Sequence, residues 1–108
     1  MAVSQCQASS GGDYVRYYEA CLAEQWTSGV SWSIRFNYSV VYGNAHIGSW
    51  WDNQYSCFMC EYRDQSIYKR SETQIRWTGT VVNSLGAGSY TKWLEINAST
   101  SGAWTNHN

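Results

Sequence analysis

A chain of 108 residues holds one hydrophobic core and not two, and 44% hydrophobic with only 14% charged residues describes an ordered globule. A formal net charge of −1 with seven scattered basic residues excludes the basic stripe that nucleic acid demands, and no apolar run approaches the roughly 18 residues of a membrane span. Nine Tyr, seven Trp and two Phe are more rings than one small core can hide, so several are expected half-exposed, where an apolar body with a polar handle is at home.

Residues 1–108 read as a single domain in which 1–12, rich in Ser, Gln and Gly, form an arm that is flexible or tethered through Cys6. The start Met1-Ala2-Val3 has neither the charged lead nor the apolar stretch of a signal peptide, so Met1 reads as a start added to a mature sequence or as a cytosolic start. Helix signals follow. Ser10-Gly11-Gly12-Asp13 offers a cap, and Val15, Tyr18, Leu22 and Trp26 recur at helical spacing with Cys21 beside them. This pattern predicts a helix over 13–26, ended by Gly29.

From Ser31 to Tyr42 the period changes to two. Trp32, Ile34, Phe36, Tyr38, Val40 and Tyr42 alternate with Ser31, Ser33, Arg35, Asn37, Ser39 and Val41, predicting a strand with one dry face. Residues 43–54, with two Gly, two Asn and one Asp, read as a loop. Further strands are predicted over 55–63, 73–82 and 90–98, with a connection or short strand over 64–71 and a polar tail that carries Trp104. The expected fold class is α+β, with one N-terminal helix packed across a curved antiparallel sheet of about four to five strands.

Four cysteines in so short a chain favour two disulfides and an oxidising compartment. Zinc is the alternative, but only Cys57-x-x-Cys60 has ligand-like spacing, so neither metal nor cofactor is expected. In an unbroken strand 57 and 60 face opposite ways, which pairs Cys60 with Cys21 under the helix and leaves Cys57 for Cys6. The sequons Asn37-Tyr38-Ser39 and Asn97-Ala98-Ser99 agree with secretion.

Two places carry candidate chemistry. The 43–54 loop gathers Asn44, His46, Trp50, Trp51, Asp52 and Asn53, a platform for the apolar face of a sugar with polar groups for its hydroxyls. The plainer reading has one Trp plugging the core. The open sheet face collects Arg35, Asn37, Glu61, Arg76, Thr78, Trp93 and Glu95, read either as cross-strand ion pairs or as a polar groove with Trp93 as a stacking surface.

With Glu61 on the second strand and Arg76 on the third, helix-then-sheet order is similar to the guanyl-specific microbial ribonucleases, which use a strand Glu as base, a His as acid and an Arg on phosphate. Lys92 and Trp93 stand where that His is needed, and His46 and His107 lie in loop and tail, so the resemblance implies a ribonuclease-like fold without the catalytic set. The cystatin and monellin architecture is similar in outline, without its Gln-x-Val-x-Gly inhibitory loop. The expected function is therefore a secreted, lectin-like module without catalysis, its partner a glycan, free or on a glycoprotein. The rival is a secreted protein-binding module (inhibitor, effector or receptor ligand) using the same aromatic residues.

Overall fold

A computed structural model describes residues 3–27, 29–83 and 88–108. Among them there is no helix. Nine strands run as β1 (Val3–Ser4), β2 (Gln7–Ser10), β3 (Val15–Thr27), β4 (Val30–Val41), β5 (Asn44–Cys57), β6 (Cys60–Ser71), β7 (Gln74–Asn83), β8 (Ser89–Ser99) and β9 (Gly102–His107). They form two antiparallel sheets, one ordered β1-β3-β4-β5 with β2 also on β3, the other β6-β7-β8-β9. Their inner faces share one core, so the α+β expectation gives way to an all-β, two-sheet architecture.

The segment 13–26, expected as helix, belongs to β3, and a β-bulge explains the misreading. Pairing with β4 shifts between Tyr18 and Cys21, where Ala20 takes a φ of 52°. Before the bulge Tyr18 points inward, stacked on Tyr38 with centroids 4.6 Å apart; after it Cys21, Ala23 and Gln25 are buried. The extra residue breaks period two with a step of three, and that step gave the apolar positions their helical look. Leu22 and Trp26, assigned to the helix stripe, lie on the outer face. The bulge frees two peptide groups that β4 recaptures: Ala20 N donates to Asn37 Oδ1 (2.9 Å), and Arg35 Nη1 donates to Ala20 O (3.1 Å).

β4 has the dry face its period predicts, with Trp32, Ile34, Phe36, Tyr38 and Val40 buried. Its cover is the second sheet, through Ile75, Trp77, Leu94 and Ile96. Tyr42 departs from the prediction: with Gly43 it forms a two-residue turn, both at positive φ, the geometry that matches strand twist in a tight hairpin. Residues 44–54, expected as loop, are the first part of β5. Two register shifts against β4 and the φ of 56° at Asp52 blur its alternation.

The stretch 55–63 is two strands, not one. Phe58 and Met59 make a turn between β5 and β6, and the chain passes there from one sheet to the other. Two disulfides form as expected, but pair differently: Cys57 with Cys60 across this turn, and Cys6 with Cys21. A continuous strand through 57–60 would hold the two cysteines on opposite faces, and chain reversal brings them together instead. Cys6 lies between β1 and β2, which line up along the same edge of β3, so the N-terminal arm is strand tied at its midpoint. Two disulfides agree with an oxidising, extracellular setting.

Hydrogen bonds stitch both open sides of the sandwich. Ile47 N donates to Glu72 O (2.7 Å) on one side, and Thr105 Oγ1 donates to Gln25 Oε1 (2.7 Å) on the other.

Candidate functional site

Strands β7 and β8 alternate cleanly, so the outer face of the second sheet follows from their registers. Arg76 lies opposite Glu95 and next to Tyr68; Thr78 lies opposite Trp93; Gln74 opposite Asn97; and Asn97 opposite Trp104. At the centre is Glu95, whose side chain is 7% exposed although it sits on an outer face. Its Oε2 accepts hydrogen bonds from Arg76 Nε (3.1 Å) and Nη2 (2.7 Å), with Arg70 Nη1 at 3.7 Å. The Arg76 guanidinium also lies 4.2 Å from the Trp93 ring centroid. Such an arrangement keeps a charge dry by pairing it and covering it with a ring.

Tyr68, at 43% exposure, stands at one end of the Arg76–Glu95 row, and Trp104, at 47%, stands in the next row opposite Asn97. Amides are near: Asn106 is opposite Glu95, and Asn97 Oδ1 accepts from Gln74 Nε2 (2.7 Å). Ser66 and Thr78 bring their hydroxyls within 3.0 Å. The surface combines two open rings, a stacked ring, two guanidinium groups and several amides on a rigid sheet. Flat and aromatic, it suits stacking with lateral hydrogen bonds.

The structure brings together Arg76, Thr78, Trp93 and Glu95 of the expected open face and separates the others. Glu61 pairs with Arg63 (2.6 Å) far along the edge strand, about 20 Å from Arg76 by strand rise. Arg35 and Asn37 are on the first sheet, occupied with the Ala20 bulge; Asn37 Nδ2 also donates to Ser49 Oγ (3.1 Å).

The group expected in the 43–54 loop is dispersed by its strand. Trp50 turns inward and packs against the core, while Trp51 is exposed on the outer face opposite Arg35. Asn53 serves the interior: its Oδ1 accepts from Trp32 Nε1 (2.7 Å) and its Nδ2 donates to Tyr55 OH (2.8 Å). Asp52 sits in the bulge and accepts from Gln54 (3.1 Å). Asn44 borders the tight turn and donates to Tyr42 O (3.3 Å). His46 lies at the Tyr42–Gly43 end, 3.3 Å from Glu72, and this bond together with Lys69 holds the Glu72 carboxyl below its usual range.

Tyr68 and Trp104 were not selected from the sequence. A strand pattern in GAWTNH, with Trp104 and Asn106 two apart, was the signal that places them on one face. All four cysteines are in disulfides, and the described residues hold no cluster of three His, Cys, Asp or Glu side chains arranged for a metal. Without a helix, the outline similarities to the ribonucleases and to cystatin and monellin do not hold. No helix among the described residues is long and apolar enough to cross a membrane.

No family model matches this chain, nor does any curated protein. Among solved structures it is similar to the hypothetical protein lmo2686 from Listeria monocytogenes EGD-e, with a TM-score of 0.69 over 97% of this chain and 75% of that one. At 11% identity the likeness is one of fold alone.

Proposed function

We propose that the protein is a secreted carbohydrate-binding module that binds without turnover, and that the outer face of the second sheet is its binding surface. The observation that carries this reading is the row Tyr68–Arg76–Glu95 flanked by Trp93 and Trp104. Sugar rings present apolar C–H faces and equatorial hydroxyls, and this surface offers rings beside charged and amide groups. Because the Arg76–Glu95 pair is already satisfied, it orients the surface and donates laterally without needing to move. The reading assigns no acid, base or nucleophile.

A glycan array probed with the full chain tests this. Binding to a defined glycan class, lost in Trp104→Ala and Tyr68→Ala with the fold intact, is expected. Both rings are exposed, so their removal costs contact area and little stability. Salt should change the affinity little, since no net charge drives it. An array without hits, or hits kept by both variants, rejects the proposal.

A further inference from the structure

The open rings on the outer face of the second sheet are too far apart to meet one small ligand. Tyr68, Arg76, Glu95 and Asn106 lie abreast in one row across β6, β7, β8 and β9. Trp104 stands two residues along β9 from Asn106, in the row that holds Gln74 and Asn97. Three strand spacings and two residues of rise therefore separate Tyr68 from Trp104 by about 16 Å.

That spacing is fixed by backbone ladders. Pairing is regular from Ser66 to Lys69 on β6 and along the whole of the β7–β8 and β8–β9 ladders. Between the rings the surface is polar and braced. Arg76 Nη2 and Arg70 Nη1 both approach Glu95 Oε2, at 2.7 Å and 3.7 Å, so both guanidinium charges are engaged within the protein. Gln74 Nε2 donates to Asn97 Oδ1 (2.7 Å) in the row that carries Trp104. Arg76 lies against Trp93, which leaves Tyr68 and Trp104 as the open stacking rings.

We infer that this face binds the interior of an extended, neutral polysaccharide chain, with one sugar unit stacked on Tyr68 and another, further along the same chain, on Trp104. The inference rests on the sugar reading of this face and adds the form of the ligand. A span of about 16 Å is longer than one pyranose ring and corresponds to about three linked units. One sugar reaches only one ring. A chain reaches both, and its second contact forms within an already bound molecule, at high effective concentration. The units between the rings lie over the Arg76–Glu95 row, where guanidinium and amide donors meet hydroxyls. Neutral chains are selected because a sugar carboxylate would compete with Glu95 for the two guanidinium groups. Recognition of a chain end needs an enclosing pocket, whereas a flat sheet lets a bound segment continue in both directions.

Calorimetry of the full chain with size ladders of cellulose, chitin, xylan and mannan, from monosaccharide to hexasaccharide, tests this. For at least one ladder, affinity should rise about tenfold or more between disaccharide and tetrasaccharide and change little beyond the pentasaccharide. The gain with length should vanish in Trp104→Ala and in Tyr68→Ala, since each variant keeps one ring and loses the span. Reducing the chain end to an alditol should leave hexasaccharide binding unchanged. If a ring variant misfolds, the length series on the parent protein decides alone. A monosaccharide bound as tightly as the tetrasaccharide overturns the extended-chain inference and leaves the sugar reading standing. So does an array hit on an acidic or branched glycan while no ladder binds. A length gain kept in either folded variant overturns it too, because the span then does not run between these rings. An array without hits, together with ladders that do not bind, rejects the sugar reading and this inference with it.

Discussion

Arg76 places its guanidinium 4.2 Å from the Trp93 ring while donating twice to one oxygen of Glu95. A single side chain thus covers an aromatic surface and neutralises a carboxylate that is almost fully withdrawn from water. Removing it strands that carboxylate. Arg76→Ala should therefore cost about 3 kcal/mol, the range for losing one partner of a buried pair. Arg70, further off and more exposed, should cost no more than about 0.5 kcal/mol when replaced by Ala. Urea unfolding of both variants checks this, and equal losses would mean the two guanidinium groups share the charge evenly.

The bulge in β3 gives a second prediction. Asn37→Ala leaves the Ala20 N–H without its side-chain acceptor and should destabilise by about 1–2 kcal/mol. Ala20→Gly should stabilise by about 0.5–1 kcal/mol, because glycine has no Cβ to clash at a positive φ. A destabilised Ala20→Gly variant, read by the same unfolding curves, would contradict a left-handed residue at this position.

That bulge also marks where the sequence stopped being legible. β4, β7 and β8 keep an unbroken period of two, so their inward and outward residues, including Arg76, Trp93 and Glu95, were readable. β3 loses phase at Ala20, and its spacing then satisfies a helix template as well as a strand. β5 carries Gly48, Asn44, Asn53 and Asp52, which ordinarily mark loops; here cross-strand pairing overrides local preference. Phe58 and Met59 are poor advertisements for a turn, and what closes it is a disulfide between its flanks. Tyr68 and Trp104 are not legible as members of that face because β6 has its own irregularity at Asp64 and β9 spans only six residues.

The disulfides make a third prediction. Peptide mapping without reduction should recover Cys6 joined to Cys21 and Cys57 joined to Cys60, with no free thiol. By loop-closure entropy the first bridge, closing a separation of 15 residues, should contribute about 3 kcal/mol. The second closes only a separation of three and should contribute about 2 kcal/mol. Paired Cys→Ser variants measured by thermal unfolding check the order; a larger loss at Cys57 and Cys60 would show that this bridge does more than close a short loop.

The proposed sugar site is the outer face of the second sheet. Indole N–H resonances report on it directly, because the seven Trp side chains are spread over the core and both outer faces. Titrating ¹⁵N-labelled protein with the glycan that scores highest on an array should shift the indole signals of Trp93 and Trp104 in a saturable manner. Those of Trp26, Trp32 and Trp51 should stay in place. Saturable shifts confined to Trp26 or Trp51, with Trp93 and Trp104 unmoved, would contradict the assignment of the site.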